Sequence, residues 1–171
     1  MTITEILPTV EVTPAVERFA FSVQKPQDWQ QMPIPADETD FDNPTLFMPL
    51  ALFMPTWGAV VFTVAARPAY GDGTLADWLM YLCREQELRI TEFMPAAIGD
   101  TFAASCVCSQ DSEVGEMKVR IALVEDGGAL ISLIGMAPVA IWESVAATFD
   151  QMITSFRLAA PQGSSVPLAN W

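Results

Sequence analysis

Apolar and polar residues alternate with a period of two over much of the second half of the chain, which predicts β-strands. Residues 116–124 are the clearest case. Every second residue from Met117 to Leu123 is apolar and points to one face, whereas Lys118 and Arg120 point to the other face. The Glu-Asp-Gly-Gly sequence at 125–128 predicts a tight turn, and residues 129–136 return as an antiparallel partner. Residues 101–109 alternate in the same way, which adds a further strand to this sheet.

Two segments instead have apolar residues at intervals of three and four, the spacing of an amphipathic helix. The first follows a Gly-Asp-Gly turn and extends to about residue 89, with Thr74 and Asp77 in the positions of a capping box. The second follows Pro138, which suits a first helical turn, and its apolar stripe reaches Phe156.

The remaining strand candidates are residues 19–23, the continuously apolar run 59–66 and the weaker segment 90–98, which Pro95 interrupts. Hairpin connections and strands apolar on both sides predict an α+β fold, an antiparallel sheet of about five to seven strands covered by a helix on each face. We expect one domain over residues 18–158, between a flexible N-terminal lead of residues 1–17 and a flexible tail of residues 159–171.

Residues 46–57 contain the sequence Leu-Phe-Met-Pro twice, and Phe-Met-Pro recurs at 93–95. The two prolines exclude a helix or an uninterrupted central strand, so at most an edge strand is predicted around residues 50–53. These side chains either fold back as core or form an exposed docking site, and methionine suits a surface that adapts to varied apolar partners. The candidate partner-binding residues are Phe47, Met48, Phe53, Met54, Trp57 and the C-terminal Trp171.

The net charge of −13 disfavours nucleic acid and anionic membranes as partners, because a negative surface repels phosphate. No apolar run reaches the ~18–20 residues that span a bilayer. The first 17 residues lack the basic start and apolar core of a secretory signal, so a cytoplasmic location is expected. The acidic residues at 37, 38, 40 and 42 are interpreted as a solvated loop rather than a calcium site.

The chain contains no histidine, which excludes imidazole acid–base chemistry, Ser-His-Asp and Cys-His catalysis, and zinc sites that use histidine. Its three cysteines, Cys83, Cys106 and Cys108, are interpreted as reduced thiols packed as small apolar side chains. A Cys-x-Cys pair can bind soft metals, but a tetrahedral site would need other ligands or a second chain. We therefore expect no metal, no cofactor and no catalytic residue, and a protein that is not an enzyme.

The order of these motifs resembles the PsbP-like superfamily. The resemblance rests on the opening strand followed by Pro26 and Trp29, the helix from Thr74, the glycine hairpin at 127–128, and the last helix with Trp142, which leads into Ser-Phe-Arg-Leu at 155–158. The superfamily includes the extrinsic photosystem II protein, the nuclear import factor that binds the GTPase Ran, and bacterial DcrB-like proteins. Its members are mostly binding or assembly proteins, and some DcrB-like ones act as chaperones for apolar segments of secreted effectors.

The resemblance and the Met- and Phe-rich repeat together predict a non-catalytic protein that binds an apolar segment of a partner protein of unknown identity. A structural homo-oligomer, with a homodimer as its simplest form, and a small-ligand-binding domain are the alternatives. A ligand-binding domain requires a pocket with converging polar groups, which only a structure can reveal.

Overall fold

The computed structural model describes residues 7–14, 17–34, 47–69, 73–94, 96–99, 101–126 and 128–159. Within these ranges the chain forms eleven strands and two α-helices, with short 3₁₀ turns at Glu17–Phe19 and Val139–Ile141. In chain order the elements are β1 (Thr9–Val12), β2 (Phe21–Gln24), β3 (Trp29–Met32), β4 (Met48–Pro55), β5 (Val61–Pro68), α1 (Leu75–Glu85), β6 (Arg89–Phe93), β7 (Ala96–Ile98), β8 (Thr101–Ser112), β9 (Gly115–Asp126), β10 (Ala129–Pro138), α2 (Trp142–Ser155) and β11 (Arg157–Leu158).

The strands form two antiparallel sheets, which confirms the predicted α+β class. The larger sheet has eight strands in the order β3-β4-β5-β10-β9-β8-β6, with β7 paired to β8. The smaller sheet has the order β1-β2-β11. The larger sheet exceeds the expected five to seven strands because β3 and β7, with four and three residues, are too short to show an alternating pattern.

The hairpin between β9 and β10 lies at the centre of the larger sheet. Its register pairs Ala129 with Asp126 and continues to Pro138 opposite Met117, so ten residue pairs join the two strands. Gly128 has a φ of 79°, a left-handed conformation that glycine adopts without steric cost. The predicted turn is confirmed, and β9 and β10 provide the frame on which β5 and β8 pair.

The two helices pack against opposite faces of this sheet. Val119, Ile121 and Leu123 of β9 belong to one apolar cluster together with the buried residues of α1. The intervening Ala122 and Val124 belong to a second cluster, which contains the buried stripe of α2. Because successive strand residues point to opposite faces, β9 separates the two clusters.

Helix α1 begins at the predicted capping box. The Thr74 hydroxyl accepts a hydrogen bond from the Asp77 N–H at 3.1 Å, and the Asp77 carboxylate accepts one from the Thr74 N–H at 3.0 Å. The bond from the Thr74 backbone N–H also lowers the pKa of Asp77. The helix ends at Glu85 rather than near residue 89, because Glu87 has a φ of 55° and the Leu88 N–H bonds back to the Cys83 carbonyl.

Part of the expected flexible lead is a paired strand. Residues Thr9–Val12 form β1, which pairs with β2 from Thr9 opposite Gln24 to Val12 opposite Phe21. Val12 is buried in the cluster that contains α2, so apolar packing orders this segment. The other residues of the lead at 1–6 and 15–16, and the tail beyond residue 159, lie outside the described residues.

The proline-containing segment forms a strand inside the sheet and not at its edge. Strand β4 lies between β3 and β5, but β3 pairs only with Leu52 to Pro55. Over the described residues, the half of β4 that contains Pro49 is paired on the β5 side, with a register shift between Pro49 and Ala51. Proline is tolerated at such bulges and unpaired strand sides, which explains why two prolines did not exclude this strand.

Arg120, which the alternating pattern placed on a polar face, is buried beneath α2. Its Nε donates to the Asp150 carboxylate at 2.9 Å, and its guanidinium also donates to the Ser105 hydroxyl. The Arg120 side chain, which is 5% exposed, thus joins β9 to both β8 and α2.

None of the helices in the described ranges has the length and apolar character needed to cross a membrane.

The contact between Gly135 and α2 gives a test of this packing. A Cβ atom at Gly135 would lie 2.5 Å from the Phe149 ring, so Gly135→Ala forces the helix away from β10. We expect a loss of about 1–3 kcal/mol in the free energy of unfolding, measured by urea denaturation. Gly58→Ala is the matched control, because a Cβ there meets no atom within 4 Å. Equal stability of the two variants would contradict the close packing of α2 on β10.

Candidate functional site

The structure divides the predicted partner-binding residues into core and surface. Met48 is 3% exposed and Phe53 is fully buried, so the expectation that these two side chains contact a partner is corrected. The reason is that β4 is a paired strand whose inward residues pack into the cluster beneath α2. Phe47 and Met54 are half-buried, and Trp57 is 55% exposed. Trp171 and the acidic residues at 37–42 lie outside the described residues.

A groove lies beside α1 on the same face of the sheet. Helix α1 packs on β6, β8 and β9, and it leaves the surfaces of β4, β5 and β10 beside it partly uncovered. The cavity formed there has a volume of about 430 Å³, within the range of ~300–1,000 Å³ that binding sites occupy. Its apolar lining is formed mainly by Phe47, Pro49, Ala65, Leu82, Ile134 and Met136.

Arg67, at the end of β5, lines this groove together with the rings of Phe47 and Tyr81, and its guanidinium also packs on the ring of Trp78. Its guanidinium carbon lies 4.8 Å from the Trp78 ring centre, 5.6 Å from that of Phe47 and 5.9 Å from that of Tyr81. The residue is only 6% exposed, so these cation–π contacts form largely out of water, where they are strongest. They join β5 to the segment before β4 and to α1.

Sequence patterns could not identify this aromatic cage. Arg67 follows an apolar strand as a single charge, and Trp78 belongs to the apolar stripe of a helix. Their contact depends on how α1 lies across the sheet. Among the predicted partner-binding residues that the structure describes, Phe47 is the one that lines the groove.

Polar side chains also contribute to the lining of the groove. Gln110 donates a hydrogen bond to the Gln86 carbonyl at 3.0 Å, which ties β8 to the end of α1. Thr63 and Ser132 contribute hydroxyl groups to the lining, and Glu85 adds a carboxylate at the rim. An apolar lining with polar groups beside it is suited to binding an apolar group in a defined orientation.

The three cysteines converge in the core next to the groove. The Cys83 sulfur of α1 lies 3.9 Å from that of Cys106 and 3.6 Å from that of Cys108, and the two β8 sulfurs are 3.5 Å apart. All three are free thiols and buried, in agreement with the expected reduced and core state. Val119 and Leu82 belong to the same cluster and also line the groove.

The contacts among these thiols affect their ionisation unequally. Hydrogen bonds from Cys106 and Cys108 lower the pKa of Cys83 to about 4, although burial opposes the effect. The hydrogen bond between Cys106 and Cys108 raises the pKa of Cys106. The hydrogen bond with Cys106 lowers the pKa of Cys108. The hydrogen bond between Cys108 and Cys83 and the burial of Cys108 outweigh that effect and raise the pKa of Cys108 to about 12.

A second apolar surface lies near the β6 edge of the larger sheet. Phe93 of β6 is 64% exposed, and Phe102 of β8 is 66% exposed. The register pairs Phe93 with Cys106, and Phe102 shares a face with Cys106 because it lies four positions before it along β8. Both rings therefore lie on the α1 face. Phe93 belongs to the third Phe-Met-Pro copy.

Comparison with known proteins gives a likeness of fold. No family model and no curated protein sequence matches the chain. LpqN, involved in cell envelope biogenesis of Mycobacterium tuberculosis, is 12% identical with a TM-score of 0.60, over 91% of this chain and 92% of LpqN. A Bacteroides thetaiotaomicron protein is 13% identical with a TM-score of 0.54, over 83% of this chain and 46% of that one.

Cyanobacterial PsbP from Synechocystis sp. PCC 6803 also matches, at 11% identity and a TM-score of 0.47, over 93% of this chain and 97% of that one. The solved structures that match this chain thus include a PsbP protein, in line with the resemblance noted in the sequence, and the likeness to LpqN shows the fold. At identities this low the likeness concerns the fold alone and not partners or ligands.

The burial of Met48 and Phe53 changes what substitutions there will do. Met48→Asp and Phe53→Asp each place a carboxylate in the core, so we expect a loss of at least about 4 kcal/mol in the free energy of unfolding. Trp57→Asp is the control, because an exposed side chain should tolerate the change within about 0.5 kcal/mol. Urea denaturation followed by circular dichroism measures both. A stable Phe53→Asp variant would show that β4 is not buried as described.

Proposed function

We propose that this protein is a non-catalytic binding protein that holds an apolar segment of a partner polypeptide in the groove beside α1. The observation that carries the proposal is the groove itself, an apolar trough of about 430 Å³ between the helix and the uncovered strands β4, β5 and β10. In this proposal the groove has the docking role that the sequence suggested for the 46–57 repeat, and Phe47 and Pro49 belong to both.

The shape of the lining favours an extended or helical segment. Half-buried Ile134 and Met136 follow each other on one face of β10, and Thr63 and Ala65 do so on neighbouring β5. Two parallel rows of small and apolar side chains offer successive contacts to an amphipathic segment laid along them. Methionine in one row can adapt to side chains of different shape.

The aromatic cage around Arg67 joins the elements on either side of this groove. Because Trp78 and Tyr81 lie on α1 and Phe47 precedes β4, the cation holds the helix and the sheet at a fixed separation. A groove that is held open before binding requires less ordering when a segment enters. The net charge of −13 on the chain would disfavour acidic competitors and favour segments flanked by basic residues.

A structural homo-oligomer is the second candidate, and the exposed rings of Phe93 and Phe102 favour it. They lie on β6 and β8 near the end of the sheet, and within the described residues β6 pairs on one side only. An exposed strand edge beside apolar side chains is a recurrent site for pairing with a second chain.

Occlusion of the groove tests the first proposal. Thr63→Arg places a long charged side chain in the groove, and we expect on the order of 10-fold or greater loss of affinity for apolar peptides. The measurement is fluorescence anisotropy with labelled ten-residue peptides in which Leu, Phe and Met alternate with Lys. A peptide with Ser in place of the apolar residues is the ligand control and should not bind.

Val61→Arg is the protein control, because Val61 is half-buried on the same face of the same strand and does not line the groove. It should bind the apolar peptides as the unmodified protein does. If both arginine variants lose affinity equally, or if neither does, the groove is not the binding site.

Self-association is tested by mass in solution. If Phe93 and Phe102 form the interface, the double change Phe93→Asp and Phe102→Asp should convert an oligomer into a folded monomer across a dilution series in analytical ultracentrifugation. Val114→Asp is the control, since Val114 is 82% exposed in the turn between β8 and β9. A chain that is monomeric at every concentration before substitution would exclude the oligomer.

A further inference from the structure

The convergence of the three thiols has no role in the proposed binding function. They are the only cysteines of the chain, and they come from two different elements, Cys83 from α1 and Cys106 and Cys108 from β8. Burial of small apolar side chains would not require all three sulfurs to point at one another. In this structure each sulfur contacts both of the others.

The spacing of the sulfurs matches a metal site. Edges of 3.5, 3.6 and 3.9 Å define a triangle with a central point about 2.1 Å from each corner. A metal–sulfur bond of ~2.3 Å would place an ion slightly out of the plane of the three sulfurs. The two β8 ligands are two residues apart, and alternation along a strand directs both toward Cys83.

The surroundings restrict the kind of ion that fits. The chain has no histidine and no fourth cysteine, and over the described residues no carboxylate oxygen joins the three sulfurs. All three cysteines are at most 2% exposed, so water does not readily supply a fourth ligand. Zinc prefers four ligands in a tetrahedron, whereas thiolates alone select soft ions such as Cu(I).

We propose that Cys83, Cys106 and Cys108 bind one Cu(I) ion through three sulfurs, with no further protein ligand. Copper stays in the +1 state throughout, and the protons still held by the thiols pass to solvent as the sulfur–copper bonds form. The bound ion joins the end of α1 to β8. Its three ligands belong to the same apolar cluster as Leu82 and Val119, which line the groove, and the site does not depend on the proposed use of that groove.

The test is an anaerobic titration of the reduced protein with Cu(I) in competition with bicinchoninate. We expect one equivalent to bind, with a thiolate-to-copper absorption in the ultraviolet. Each of Cys83→Ala, Cys106→Ala and Cys108→Ala should lower the affinity on the order of 100-fold, since each removes a ligand. Val119→Ala is the control, because it truncates a buried residue of the same cluster and keeps the three sulfurs.

Thermal unfolding distinguishes a folded site from exposed thiols. Binding of Cu(I) to the three thiols of the folded protein (the thiol trio) should raise the Tm. Capture of Cu(I) by thiols of the unfolded chain would lower the Tm and overturn the proposal. X-ray absorption at the copper edge of the unmodified protein should show three sulfurs and no nitrogen or oxygen, which keeps the test decisive if an alanine variant fails to fold. No binding, or Zn²⁺ binding as tight as Cu(I), would also overturn it.

Discussion

The structure depends on the pairing of β9 with β10 and on the burial of both faces of these strands. Ten consecutive residue pairs join them, and the sheet extends outward on either side through β5 and β8. Because β9 contributes apolar residues to the clusters beneath both helices, it is the part of the sheet to which α1 and α2 are both anchored. The Arg120–Asp150 pair supplements this anchoring on the α2 side with a charge-assisted hydrogen bond.

The two faces of the sheet are covered unequally, and the uncovered part carries the candidate function. On one face, α2 and strand β2 of the smaller sheet pack over the core, with Phe149 in contact with three other aromatic rings. On the other face, the eleven residues of α1 mainly cover the side of β6, β8 and β9. The groove and the thiol trio are thus both consequences of one short helix, the groove beside it and the thiols beneath it.

Much of the local structure followed from patterns in the chain. The capping box at Thr74, the apolar stripe of α2 and the hairpin before Ala129 depend on neighbours within a few residues, and each was predicted. The alternation along β8 correctly placed Cys106 and Cys108 on one face. The prediction that the proline-containing segment is at most an edge strand was wrong. The rule that excludes proline from central strands applies to continuous pairing, whereas β4 has a register shift and lies beside a short neighbouring strand.

The sequence by itself determined the class of fold, the position of both helices and the exclusion of histidine chemistry, since these depend on periodicity, turn residues and composition. Only the tertiary structure decided which apolar residues are exposed, because Met48, Phe53, Phe93 and Phe102 are chemically alike and differ in what packs over them. The same holds for the Arg67 cage and the thiol trio. Both join residues far apart in the chain through the position of α1 on the sheet, which no local pattern encodes.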